Sequence, residues 1–199
     1  MNRNVLLLTF IVLIIASSCK KEKTGVMTTN VDQSEEDVND DEYISTPIEF
    51  EEYMQNAVEN ADQEAMGIRQ DMDSFTREET DLSEMSAEGG ILNKYFSKDG
   101  DIRMIEAVYY GETGKTTETF FIKDGLPILM ERQKDNYDSP ESRNIISSDK
   151  LLFYFEEGNL LEVFDGNGNI TQIENMTYAG ENIISDYEKF MNSDEDELY

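Results

Sequence analysis

The chain has no histidine, no tryptophan, three prolines and one cysteine in 199 residues. Without histidine there is no histidine-based triad and no imidazole metal ligand. A single cysteine cannot form an intramolecular disulfide, so the fold must stand on its core. Basic side chains are scarce as well, 16 against 44 acidic ones, for a net charge of −28. The deficit is uneven. Residues 90–150 hold 9 basic and 11 acidic side chains, whereas residues 20–89 hold 5 and 21, and residues 151–199 hold 1 and 12. Phosphate backbones and anionic membrane surfaces repel such a chain, so nucleic acid is excluded as a partner. Cationic proteins, divalent cations and neutral glycans remain.

Long hydrophobic runs are also few. Val5 to Ala16 is the one uninterrupted example, VLLLTFIVLIIA, preceded by Asn2 and Arg3. Twelve residues suit a signal-peptide core and fall short of the roughly 20 that a spanning helix needs. Ala16-Ser17-Ser18-Cys19 follows and resembles a bacterial lipobox. That resemblance implies cleavage before Cys19 and a lipid on its thiol. Each buried methylene adds about 0.8 kcal/mol of membrane affinity, so several acyl chains make a stable anchor. The alternative is a secreted chain with an incidental cysteine. Residues 1–18 are thus read as a signal peptide, and Cys19 as the lipidated site.

Residues 19–45 are acidic, rich in Asn, Asp and Ser, and lack apolar periodicity, as a disordered tether does. A flexible segment of that length spans about 25–30 Å root-mean-square. Lys20-Lys21-Glu22 resembles the lysine-plus-acidic export tag of some Bacteroidetes surface lipoproteins; a solvated charge run is the other reading. Thr46-Pro47-Ile48-Glu49 reads as a helix start, with Thr46 as cap, Pro47 at the first helical position and Glu49 closing a capping box. Phe50, Met54, Ala57, Val58, Ala61, Ala65 and Ile68 then recur at helical spacing, as a core face does. Residues 69–87 are polar and read as loop with one short strand.

From Gly90 the period becomes strand-like. YFSKDGDIRMI from Tyr95, FFIKDGLPILM from Phe120 and FYFEEGNLLEVF from Phe153 each join an aromatic pair, an acidic-Gly turn and an aliphatic run. Asp99-Gly100, Asp124-Gly125 and Glu157-Gly158 are hairpin turns, since such turns need positive φ. Gly111–Gly114 and Asp165–Gly168 supply further turns. The expectation is one α+β domain over residues 46–192. It is an antiparallel β-meander of about six to seven strands. The N-terminal helix, and a short C-terminal helix over Asn182–Asn192, pack on one face. An acidic tail, 193–199, follows. On that plan one member of each aromatic pair lies in the core. The other either pairs across strands or forms an exposed row suited to a protein or glycan.

Residues 88–166 carry Glu88-Gly89-Gly90, an aromatic-x-x-Asp-Gly turn over Tyr95–Gly100, and Tyr110–Lys115. A second aromatic–Asp-Gly hairpin over Phe120–Gly125 and a Tyr137–Pro140 loop complete the set. In these the chain resembles a group of uncharacterised Bacteroidetes proteins, many of them lipoproteins. The resemblance implies fold and location and no activity.

Three motifs fail their chemistry. Gly111–Thr116 suggests a phosphate loop, but its first glycine would stand where Tyr109 does, and a strand follows, not a helix; no nucleotide is expected. Asp165–Asn169 resembles the start of a calcium loop, yet the glycine and glutamate places hold Ile170 and Met176. A hairpin is the favoured reading, with weak calcium binding the alternative. No Gly-x-Ser-x-Gly nucleophile elbow occurs. No catalytic residue, cofactor or metal ligand is assigned, and the chain is read as a non-enzyme. The functional expectation is a lipid-anchored cell-envelope protein, at the outer membrane, binding an envelope protein or a glycan. The alternatives are an acidic inhibitor of a cationic lysozyme or protease, acting through residues 136–148, and a weak calcium-binding envelope protein. Leaflet, oligomeric state and the exposed sheet face stay open.

Overall fold

The computed structural model describes residues 47–83 and 88–193. The segments read as signal peptide, 1–18, and tether, 19–45, with Cys19, Thr46 and the tail after Ser193, lie outside these residues. Helix α1 (Pro47–Asp71) opens with proline where its missing N–H costs nothing and with Glu49 in the first turn. A 3-10 turn, Met72–Ser74, leads into β1 (Thr76–Asp81). Six strands follow: β2 (Gly90–Phe96), β3 (Ile102–Gly111), β4 (Gly114–Lys123), β5 (Leu126–Tyr137), β6 (Ile145–Glu156) and β7 (Asn159–Asp165). Helix α2 (Met176–Asn192) closes the chain. The strands form one antiparallel sheet in the order β1 to β7, so each pairs with its neighbour in sequence. The expected α+β meander is present, with seven strands.

The hairpins are where the acidic-Gly pairs put them. Gly100, Gly125 and Gly158 all adopt positive φ, and Asp124 and Glu157 share the left-handed conformation at φ 52° and 49°. Two-residue turns of that hand match the twist of the strands they join. Register shifts at Tyr95/Phe96, Phe121/Ile122 and Tyr154/Phe155 sit beside three of these turns, and a fourth lies at Asn136/Tyr137. Bulges at such places bend a sheet. Gly114 permits a close approach, because a Cβ there would stand 2.1 Å from the Asp135 carbonyl oxygen.

The placement of the helices differs from the expectation of one covered face. Phe120, Ile105, Met130 and Phe153 pack with Ile183, Tyr187 and Phe190 of α2. Phe121, Met104, Leu129 and Tyr154 pack with Ala61, Ala65 and Ile68 of α1. Neighbouring strand residues point to opposite faces, so α1 and α2 cover opposite sides and the sheet lies between them. Phe120 meets Tyr187 and Phe190 at ring-centroid distances of 5.7 and 6.1 Å. On the other face the Arg69 guanidinium stacks 4.3 Å above the Phe121 ring and pairs with Glu131 at 2.5 Å. The exposed aromatic row is therefore absent at Phe120–Phe121 and Phe153–Phe155, where every ring is buried. Periodicity could not show this, because a strand apolar on both faces looks the same with one helix or two.

Helix α2 begins six residues before its expected start. Asn175 caps it, accepting the Tyr178 N–H at 3.0 Å. Gly180 lies ahead of the expected start at Asn182. In the fold it lets the helix approach β7, since a Cβ there would lie 2.9 Å from the Leu160 Cβ. At the far end buried Lys94 of β2 donates to the carbonyl oxygens of Ser193 at 2.5 Å and Met191 at 3.4 Å. It satisfies carbonyls that a helix terminus leaves unpaired and sits at the negative end of the helix dipole.

Candidate functional site

The apolar spacing of α1 is longer than the sheet is wide. Ala61, Ala65 and Ile68 are buried, but Phe50, expected in the core, is 51% exposed, with Ile48 and Tyr53 also exposed. These side chains extend two rows that the helix repeat aligns, Phe50–Met54–Ala57–Ala61 and Tyr53–Ala57–Asn60–Glu64. Ala57, Asn60, Ala61 and Glu64 form one bank of a groove of about 240 Å³. The opposite bank is the β4–β5 turn with Leu126 and Pro127, and Phe155 to Glu157 of the β6–β7 hairpin closes the end. Leu126 is exposed, and Pro127 is buried.

Both banks are fixed. Tyr154 donates to Asp62 of α1 at 2.8 Å. Burial, together with that carboxylate, raises the Tyr154 phenol pKa. Tyr187 of α2 donates to the Gly125 carbonyl at 2.8 Å, pinning the β4–β5 turn from the other face of the sheet. Burial pushes its phenol up to about 12. The groove is thus preformed, and its charge is negative. Glu64 is neutralised by Arg103 at 2.8 Å and Lys123 at 3.4 Å. Asp124, Glu156 and Glu157 stand on the rim without an ion-pair partner among the described residues. Apolar walls under an acidic rim suit a ligand with apolar and cationic groups.

The other constellations are structural. Residues 136–148, read as including the longest irregular stretch of the sheet region, are strand at both ends: β5 runs to Tyr137 and β6 starts at Ile145. Only 138–144 remain as loop, and Asp138 is bonded within it to Ser139, Ser142 and Asn144. In the 165–169 turn the Asp165 carboxylate accepts the N–H groups of Asn167 and Asn169, both at 2.9 Å, and the Asn169 amide. That is the hairpin reading, and these bonds hold the carboxyl pKa below its ordinary value. Gly111–Thr116 is the β3–β4 hairpin. Among the described residues no cluster of three or more acidic, cysteine or histidine side chains is placed to hold a metal ion, and no helix is long and apolar enough to cross a membrane. The groove itself was missed in sequence because its banks come from segments about 70 residues apart. Its one signal was an apolar stripe beginning at Phe50, too far ahead of the first strand to be all core.

Asp135 is the most deeply buried carboxylate among the described residues. Burial raises its pKa, but bonds from Ser148 at 2.7 Å and Gln133 at 2.9 Å, with the Lys115 ammonium 3.7 Å away, outweigh that and hold it below the usual range. A depressed folded-state pKa contributes stability that is complete above the unfolded value and is lost as pH falls through the folded one. Asp135→Asn is expected to cost about 2 kcal/mol at neutral pH. The gap to the parent should hold down to about pH 4 and shrink below it. Urea titrations of both proteins at stepped pH check this; a gap that widens in acid contradicts the assignment.

No protein-family model, no curated protein and no solved structure matches the chain.

Proposed function

We propose that the chain is a lipid-anchored cell-envelope protein, held through Cys19, that acts without catalysis as a binding module for another envelope protein. The observation that carries the binding reading is the apolar groove with its acidic rim, continued by Phe50 and Tyr53 onto an exposed helix face. A cationic, partly apolar protein segment complements it, and a glycan without charge would leave the rim carboxylates unused. The anchor rests on the hydrophobic run and the lipobox-like Ala16–Cys19. With residues 19–45 as a leash, the groove would reach partners about 25–30 Å from the membrane.

The test is a pull-down from crosslinked intact cells using the full chain tagged after Tyr199, with a protease-shaving arm. One partner recovered in stoichiometric amount supports the module. Combined Phe50→Glu and Leu126→Glu should reduce that recovery about tenfold or more, as loss of interface anchors does. The melting temperature should stay put, because both side chains are exposed. Equal recovery removes the groove from the reading. Cys19→Ser should shift the chain from the membrane to the soluble fraction; unchanged partition removes the anchor. Loss of the tag on shaving places the domain on the cell surface, and its survival places it in the periplasm.

A further inference from the structure

β6 is paired with β5 from Ile145 onward, but with β7 only from Leu151 onward. β7 ends at Asp165 and turns away, so residues 145–150 have a strand on one side only. The ladder shows which backbone groups face the open side. The Val163 carbonyl accepts from Thr171 and the Asp165 N–H donates to Asn169, so both face away from β6. Phe164 therefore faces β6, opposite Leu152. Antiparallel ladders alternate by residue, and no register shift falls between Ser147 and Leu152. Ser148 and Lys150 thus direct their N–H and C=O outward, with Gly166 against Lys150 marking the inner end of the gap. The stretch is exposed from Ile145 through Asp149, with Ile146 67% exposed. No proline interrupts it. Long natural edges are normally blocked by proline, by covering loops or by charge.

We propose that this edge takes up an extended, basic peptide strand of a partner protein, which adds to the sheet beside β6. Only an extended backbone offers donors and acceptors at the spacing of Ser148 and Lys150, while its side chains run beside the exposed Ile146. Charge selects the partner. The loop leading into the edge carries Asp138 and Glu141, and Asp149 and Asp165 lie at its other end in register with Lys134 and Leu151, against the two cations Lys134 and Lys150. Lys150 is held by Glu131 at 2.9 Å, and Arg143 by Glu88 at 3.0 Å. A second copy of the chain would bring a further −28 to the same edge. The edge is separate from the groove and does not depend on it.

The experiment is amide hydrogen exchange on the full chain with two nine-residue peptides of alternating valine, one with lysine and arginine between the valines and one with glutamate. With the basic peptide the Ser148 and Lys150 amides should slow about tenfold or more, with little change at Ser147 and Asp149, whose amides already face β5. Ile146→Lys, at an exposed position, should abolish the slowing at unchanged melting temperature. No slowing, equal slowing by the acidic peptide, or full retention in Ile146→Lys overturns the proposal. So does protection that grows with protein concentration without peptide, which assigns the edge to a second copy.

Discussion

Alanine at Phe120 and alanine at Phe121 will each lower the unfolding free energy by about 3–5 kcal/mol. The two residues are adjacent, and each ring is buried, one under α2 and the other under α1. In a sheet covered on one side only, the second substitution would fall on a solvent-facing side chain and cost within about 0.5 kcal/mol. The paired measurement therefore tests the helix–sheet–helix arrangement. Each loss has a transfer part and a cavity part, since the neighbours of a deleted ring collapse only partly. Phe120 loses two aromatic neighbours, and Phe121 loses the surface on which Arg69 stacks. Urea unfolding of both variants with unchanged slope is the check. A cost below about 1 kcal/mol at Phe121 would mean that α1 does not close its face.

Replacing Lys94 by methionine is the second large effect, expected at about 2–4 kcal/mol. A hydrogen bond to a charged group contributes about 1.5–3 kcal/mol, and removing one partner leaves the other unsatisfied. Methionine keeps the packing of the stem while deleting the ammonium, so the loss reports the polar contact with Met191 and Ser193. Ser193 adds a bond of its own, donating to the Phe190 carbonyl at 2.9 Å. The effect should be local as well as global. Amide exchange in the last turn of α2 should quicken more than in its middle, where Ile183 and Tyr187 remain packed. Uniform quickening along α2 would show that the ammonium acts only through overall stability.

Much of this fold was legible in the sequence because its turns carry their own chemistry. The acidic-Gly pairs demand positive φ, and that demand marks three hairpins without reference to the rest of the molecule. The parts that were not legible depend on distant residues. The start of α2 includes Gly180, whose fit against β7 only the fold reveals. Residues 145–148 fall within the stretch read as irregular, and their pairing with β5 makes them strand. The one short strand expected within 69–87 is β1, TREETD, whose position the polar run did not mark, since an edge strand with one partner needs no apolar pattern. Phe50 obeys the spacing of a core residue, but the sheet ends before reaching it. The groove belongs to the same class, since a helix and two turns make it together. The reading of Cys19 rests on the residues beside it alone, and it lies outside the described residues.

The neighbour-to-neighbour order of the sheet has a consequence for how the molecule is assembled in time. Every strand finds its partner immediately before or after it in the chain, and the β4–β5 and β6–β7 turns are two residues long. Pairings of this kind close small loops, and chains rich in them fold fast for their size. The sheet can therefore zip from any hairpin outward. The helices cannot join early. α1, although made first, rests on β4, β5 and β6 and has no complete surface until those strands exist. Lys94, early in the sheet, waits for Ser193, ninety-nine residues later. A chain stopped before α2 should thus hold a ladder with one bare hydrophobic face, prone to clustering, and the docking of Ile183, Tyr187 and Phe190 ends that exposure.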